Sequence, residues 1–425
     1  MSRTRRVLLL TTPKSYRTPA FLQAARRLGI QVRQAVDMPP ELAAAWNHPL
    51  GVDFQDVESA ARHLADYVAT WPVDAILAVD DSGAELAARA SQMAGLPHNR
   101  PEAAVAARRK DRMRALMAAG QVPSPAFLPL ETTTPRDRVI AQVEARIGYP
   151  CVVKPVDLNG SRGVIRADHR DALHGALDRL LGLIGQEAGR RFLVERYIPG
   201  VEVALEGLLD RGELQVLALF DKPDPLEGPF FEETIYVTPS RLPRPIQEAV
   251  AQVTARAARA LGLEMGPVHA ELRVNPAGPW IVEIAGRSIG GLCSRILRFG
   301  TDHTLEELIL AQACGIPLSD RERERRAGGV MMIPIPEAGI LEAVEGIDQA
   351  RAVPGVEDVQ ITARLNYPIV PLPEGDAYLG FIFARGEAPE EVEAALREAH
   401  RRLRIRIKPE IPLWTAPLGP GSSGR

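Results

Sequence analysis

Gly266 to Gly291, GPVHAELRVNPAGPWIVEIAGRSIGG, holds two apolar-alternating runs, 268–274 and 280–285, on either side of Asn275-Pro276-Ala277-Gly278. Alternation interrupted by turn chemistry predicts a β-hairpin. With the turn centred near Ala277, Glu271 and Glu283 sit directly opposite each other on one face. Cross-strand Cβ atoms stand ~4.5–5.5 Å apart, and like charges at that separation destabilise a sheet. A bound divalent cation relieves that repulsion. Hard ions of the magnesium type take oxygen ligands, usually one or two carboxylates plus substrate phosphates. Arg287, four residues beyond Glu283, is within reach of an anion held by the same ion. The alternative is a pair of solvated carboxylates, and a one-residue slip in register separates them.

The chain has 425 residues, enough for two to four domains at roughly 100–200 residues each. It is 46% hydrophobic and 25% charged with a net charge of −3, so neither nucleic acid nor an anionic membrane is expected as its main partner. Cys151, Cys293 and Cys314 lack metal-ligand spacing and fit a reducing cytoplasm. The start MSRTRRVLLLTTPK has too short an apolar run for a signal segment and reads as a first strand. No apolar run approaches the ~18 residues that span a bilayer. A soluble, cytoplasmic protein is expected.

Strands at 7–10, 31–36 and 75–79 alternate with helices at 19–28, 60–71 and 84–94. That pattern predicts a doubly wound parallel α/β domain over residues 1–100. No GxGxxG follows its first strand, so the dinucleotide fingerprint is absent. Ligands of such sheets lie beyond the carboxyl ends of strands, which places 11–15 and Asp80-Asp81 on the functional rim. Asp81 reads equally well as a helix cap. One long helix is expected over 101–119, then a helix at 135–147, a strand at 151–155, a helix at 171–185 and a strand at 191–195. A hairpin of 201–209 with 214–220, a strand at 230–236 and an amphipathic helix at 245–261 lead to the glutamate hairpin. A helix at 303–314 and a charged, solvated linker at 319–326 follow. Strands at 328–335, 356–365 and 377–384, a helix at 387–403 and a basic edge strand at 402–408 make a small α+β domain. The tail is Pro/Gly/Ser-rich and is expected to be disordered.

Lys154 ends an apolar strand six residues before Gly160-Ser161-Arg162-Gly163. A lysine there reaches an α- or β-phosphate as a point charge, while glycines admit backbone N–H groups to phosphate oxygens. The alternative is a strand-end lysine that snorkels beside a turn. No Walker G-x-x-x-x-G-K-[ST] occurs, so a P-loop is excluded. Glu195 to Glu202, ERYIPGVE, joins a strand end to a hairpin, where backbone groups can bond an adenine edge and Glu202 a ribose, or where Pro-Gly is only a turn. Lys222, in Asp221-Lys222-Pro223-Asp224-Pro225, belongs to a rigid loop able to close over a site, the alternative being a solvated loop.

Lys110, Lys154 with its Gly-rich loop, Glu195-x-Tyr197-Ile198-x-Gly200-x-Glu202, Glu271 twelve residues before Glu283, and Arg287 occur in an order that resembles the ATP-grasp superfamily over nearly the whole chain. The resemblance implies an N-terminal α/β domain (1–100), a small ATP-grasp lobe (101–195), a large lobe with the metal hairpin (196–325), a C-terminal α+β domain (326–411) and a flexible tail (412–425). It implies that Lys110 and Lys154 contact ATP phosphates or the adenine edge, with Gly160, Ser161, Arg162 and Gly163 as the mobile phosphate loop. It gives Glu195, Tyr197 and Ile198 to the adenine hinge and Glu202 to the ribose. Glu271 and Glu283 would hold one or two magnesium ions, with manganese as a substitute, and Arg287 would steady the transferred phosphoryl group or tetrahedral intermediate. The family's usual Asn two residues after the second Glu is here Ala285, which puts a second metal in doubt.

Several stretches resemble the carboxylate–amine ligases related to L-amino acid ligases: Phe220-Asp221-Lys222-Pro223, Gly228-Pro229-Phe230-Phe231-Glu232-Glu233, His269-Ala270-Glu271 and Leu379 to Gly386. That resemblance implies ATP-dependent amide formation through an acyl phosphate, joining a small carboxylate to an amine, most simply two amino acids. Lys222 and Arg287 would neutralise charge. Glu233 and His269 would line the acceptor side, though His269 reads equally as a structural histidine. The resemblance also carries a homodimer as its expected assembly. Two other readings stand beside it. One is a purine- or carboxylation-type ligase using bicarbonate or a phosphosugar amine, for which Lys14 and Arg17 supply basic groups; the other, motivated by Ala285, is a non-catalytic ATP-binding module.

Overall fold

The computed structural model describes residues 3–318 and 320–409; the tail expected at 412–425 lies outside them. Four parallel strands in the order Leu50–Val52, Gln31–Asp37, Arg6–Thr11, Ala75–Ala78 form the N-terminal sheet. The alternation of the first strand explains the helices on both faces. Val7 and Leu9 pack with Phe21, Ala24 and Ala25 of the helix Thr18–Arg27. Leu8 and Leu10 pack with Leu64 and Leu86 of the helices Val57–Thr70 and Ala84–Met93 on the other side.

The helix expected at 101–119 is two helices, Pro101–Arg108 and Lys110–Ala119. Arg109 between them is extended (φ −93°, ψ 108°), and the Lys110 N–H donates to the Val156 carbonyl at 3.1 Å, so a tertiary bond replaces a helical one. The helix Arg136–Arg146 and the antiparallel sheet Phe127–Glu131, Arg191–Arg196, Cys151–Pro155, Ile165–Ala167 complete this part.

The largest sheet has eight antiparallel strands in the order Gly278–Ala285, Gly266–Asn275, Val201–Asp210, Glu213–Lys222, Ile235–Thr238, Ala327–Ile333, Gly380–Gly386, Val356–Ile361. Its last three strands come from beyond residue 326, so the C-terminal part extends the same sheet through the pairing of Ile235–Thr238 with Ala327–Ile333. The amphipathic helix Arg244–Leu261 lays Val250, Val253, Ala257 and Leu261 on the hairpin's apolar face and ends at Gly262, whose left-handed conformation (φ 78°) closes it. The strand expected at 230–236 forms only at Ile235–Thr238; Phe230 makes a single bridge to Ile165. Arg404–Lys408 is an edge strand on a three-stranded sheet with Gly339–Glu345 and Pro368–Ile369, and its outward Lys408 pairs with Glu342. All three cysteines are free and buried. Among the described residues no helix is long and apolar enough to cross a membrane.

Candidate active site

A cleft of about 1700 Å³ is lined by the four-stranded and eight-stranded antiparallel sheets, the N-terminal domain and the C-terminal strands. Pockets for one small ligand typically measure ~300–1,000 Å³, so this one has room for more than one molecule. One wall is the glutamate hairpin. The Asn275 side chain accepts from the Ala277 N–H at 2.9 Å and closes the turn. The register then pairs Glu271 with Glu283 and, after a bulge, Leu272 with Ile281. The bulged Val282 turns its carbonyl to the Arg114 guanidinium.

Side chains two apart on a strand share a face, so His269, Glu271 and Arg273 point the same way. The neighbouring strand sets His269 opposite Glu206 and Arg273 opposite Glu202. On its other side Glu202 is opposite Lys222. These registers produce a buried charge lattice. Lys222 Nζ lies 2.8 Å from Glu202, 2.6 Å from Glu233 and 3.1 Å from Glu271. Arg273 Nε donates to Glu202 at 3.0 Å and its Nη1 to the Tyr197 hydroxyl at 2.8 Å. His269 sits between two carboxylates, Nδ1 at 3.3 Å from Glu206 and Nε2 at 3.5 Å from Glu271.

The opposite wall centres on Glu195, which Arg114 grips through Nε at 2.7 Å and Lys154 through Nζ at 2.7 Å. Lys110 Nζ donates to the Leu158 carbonyl at 2.8 Å and stands 3.5 Å from Glu283, linking the walls. At the N-terminal side, Arg287 Nε donates to Asp81 at 2.7 Å, the Gly291 N–H donates to the Tyr16 hydroxyl at 2.9 Å, and Arg17 is hydrogen-bonded to Ser288. The Gly-rich loop is held over the cleft. Its Asn159 amide donates to Asp81 at 3.3 Å, Arg162 Nε to the Glu374 carbonyl at 2.9 Å, and the Gly163 N–H to the Pro373 carbonyl at 2.8 Å.

Burial and charge shift these groups in opposite senses. Burial raises the Glu195 pKa, but Arg114 and Lys154 overcome it and hold the carboxyl at about 2. Burial dominates at Lys154 and lowers it despite Glu195. Lys222 is driven the other way: burial lowers it, yet its three glutamates raise it well above the ordinary lysine value. Glu271 is held low against burial by Lys222 and His269, while burial and the Glu271 charge push Glu233 up. Burial also pushes Glu206 up, and the carboxylates flanking His269 raise its imidazole against burial.

Of the residues singled out from sequence, Lys110, Lys154, Gly160, Ser161, Arg162 and Glu195 line the cleft, as do Tyr197, Ile198, Glu202, Glu233, His269, Glu271, Glu283 and Arg287. Lys222 and Gly163 are not at its surface. Lys222 ends the strand Glu213–Lys222 rather than sitting in a loop, and its buried ammonium lies behind the three glutamates. Gly163 is turned toward Leu180 and Leu183. Sequence reasoning missed Arg114, Glu206 and Arg273. Glu206, four residues after Glu202, and Arg273, two after Glu271, were findable by strand alternation; Arg114 carried no signal beyond a charged helix.

Comparison with known proteins places this geometry. Residues 22–98 match the ATP-grasp N-terminal domain, 147–296 the ATP-grasp domain and 331–408 the L-amino acid ligase C-terminal domain 2. The crystal structure of an L-amino acid ligase from Bacillus licheniformis superimposes with a TM-score of 0.79 at 25% identity, covering 96% of this chain and 100% of that one. Uncharacterized protein y4rH of Sinorhizobium fredii is 28% identical over 74% of this chain and 64% of its own length. Carnosine synthase 1 of Gallus gallus is 28% identical over 77% of this chain and 38% of its own length. The chain therefore spans less than two thirds of these two curated relatives. It is an ATP-grasp protein with an L-amino acid ligase C-terminal domain.

Proposed function

We propose that the protein is an ATP-dependent carboxylate–amine ligase that joins two amino acids or amino-acid-like molecules through an acyl phosphate. The observation that carries this reading is the in-register Glu271–Glu283 pair on the wall of a cleft that also holds Arg287 and the buried Lys110 and Lys154. Two facing carboxylates suit a magnesium ion, or manganese in its place, and Glu271 and Glu283 would hold it. Such an ion, when bound, neutralises phosphate charge and polarises the transferred phosphoryl group. Phosphoryl transfer otherwise demands positioning and charge neutralisation from the protein. In this reading the Gly160–Gly163 loop covers the ATP phosphates and Lys110 and Lys154 face them. Arg287, held in line by Asp81, steadies the charge that builds up on the acyl phosphate and its tetrahedral successor. Glu233 and His269, on the far side of Glu271, receive the amine and hold the proton it sheds.

A phosphosugar amine finds less support. Of the two basic groups that reading calls on, Arg17 is buried against Ser288, which leaves Lys14. The buried free cysteines fit work in a reducing cytoplasm.

The test is to incubate the protein with ATP, magnesium and pooled L-amino acids, following phosphate release and new product masses. Acceptor-dependent phosphate with a product equal to two amino acids minus water is the expected result. Phosphate released only with bicarbonate or a phosphosugar amine overturns it.

A further inference from the structure

The carboxylates of Glu202, Glu233 and Glu271 each offer an oxygen within 4.8 Å of the others, a donor set of the kind that holds a hard divalent ion. The position is already filled from within the chain: Lys222 Nζ lies 2.8, 2.6 and 3.1 Å from the three. An ammonium has three donors and no acceptor; Nζ donates to Glu202 and Glu233 and is ion-paired with Glu271. The Tyr236 ring, 4.9 Å from Nζ, covers it on another side.

A second observation concerns the hairpin. Ala285 shares the face of Glu283 two residues before it, and its register partner is His269. A methyl group offers no metal ligand there, and both His269 nitrogens already lie near carboxylates. Neighbouring acids are also committed, Asp81 to Arg287 and Glu195 to Arg114 and Lys154. What remains on the hairpin for an ion beside the nucleotide is Glu283, whose ion-pair partner among the described residues is Lys110 at 3.5 Å, together with Glu271 across from it.

We infer that this chain takes one divalent ion with its nucleotide, at Glu271 and Glu283, and that the Lys222 ammonium occupies the second cation position, in the nest of Glu202, Glu233 and Glu271. The inference rests on the ligase reading only through nucleotide binding. A fixed ammonium needs no recruitment from solution, and its charge repels a second ion from the nest.

The experiment counts Mn²⁺ bound per chain by electron paramagnetic resonance, with saturating ADP or a non-hydrolysable ATP analogue. The wild-type protein is expected to bind one ion. Lys222→Ala is expected to bind two, the second in the vacated nest, and Lys222→Arg, which keeps a cation there, to bind one. Two ions on the wild type overturn the inference and leave the ligase reading standing, as does a folded Lys222→Ala that still binds one. The wild-type count decides even where Lys222→Ala does not fold. Failure to bind nucleotide with any metal overturns both the inference and the ligase reading.

Discussion

Arg287 and Asp81, 206 positions apart in sequence, are joined across two domains: Arg287 Nε donates to Asp81 Oδ2 at 2.7 Å, with both side chains largely shielded from solvent. The same Asp81 oxygen accepts from Asn159 of the Gly-rich loop at 3.3 Å. Asp81 opens the 3-10 turn Asp81–Gly83. Its carboxylate is thus a hub between the N-terminal rim, the Gly-rich loop and the arginine proposed to steady the reacting groups. Asp81→Asn keeps the shape and removes the charge that aligns Arg287. Misplacing a reacting group by about 1 Å costs roughly 100-fold. A fall in kcat of that order is expected, with KM for ATP little changed. The double variant with Arg287→Ala should be no slower than Arg287→Ala alone, because both changes remove one interaction.

Glu283→Gln tests the metal assignment. Glu283 is partly exposed and, among the described residues, its one ion-pair partner is Lys110 at 3.5 Å, so the fold does not depend on its charge. Removing one of two facing carboxylates even relieves repulsion. Turnover should fall by at least about 100-fold, since metal stabilisation of transferring charge amounts to several kcal/mol. The far-ultraviolet circular dichroism and Tm should stay at wild-type values, and Mn²⁺ affinity should drop. Wild-type turnover in this variant would sink the assignment.

Much of this arrangement can be read from local pattern, and the exceptions share a cause. The glutamate hairpin is legible because alternation and a turn fix register within one short stretch, and the pairing of Glu271 with Glu283 follows from counting. The Arg287–Asp81 link is not, because nothing local to either residue says that the first domain's rim folds against the hairpin's exit. The break at Arg109 is hidden for the same reason: the apolar period runs through it, and what opens the helix is a hydrogen bond to Val156, just past the strand Cys151–Pro155. Lys222 reads as a loop residue because Asp-Lys-Pro-Asp-Pro has turn composition, although its first two residues still pair with Val203 and Glu202. Propensity is local; registry between distant strands and helices is not.

Glu195 makes the folded state sensitive to acid. Arg114 and Lys154 hold its carboxyl at about 2 against an ordinary value of 4.5, so its contribution is fully present above pH 4.5 and is lost as pH falls toward 2. A lowering of that size corresponds to roughly 3 kcal/mol of stability at neutral pH. Urea unfolding of the wild type should show that loss below pH 4.5, and Glu195→Gln should show a flatter profile there. Arg114→Met leaves a buried carboxylate with one partner fewer and should cost about 3–5 kcal/mol at neutral pH. An unchanged acid limb in Glu195→Gln would mean other carboxylates set the profile.

Gly163 and Gly160 bracket the Gly-rich loop proposed to cover the ATP phosphates and separate two roles for glycine. Both are left-handed, φ +72° and +62°. An added Cβ at Gly160 meets nothing within 4 Å, whereas at Gly163 it meets Leu183 at 3.0 Å and Leu180 and Pro155 at 3.3 Å. Gly160→Ala therefore incurs only the conformational cost, about 1–2 kcal/mol. Gly163→Ala incurs that and must also push the loop off the helix that carries Leu180 and Leu183, straining the Gly163 N–H bond to Pro373. The expected result is a lower Tm for Gly163→Ala than for Gly160→Ala, with a larger rise in KM for ATP because the closed loop is harder to form. Equal effects in the two variants would show that the loop's hold on the C-terminal segment around Pro373 has no part in binding the nucleotide.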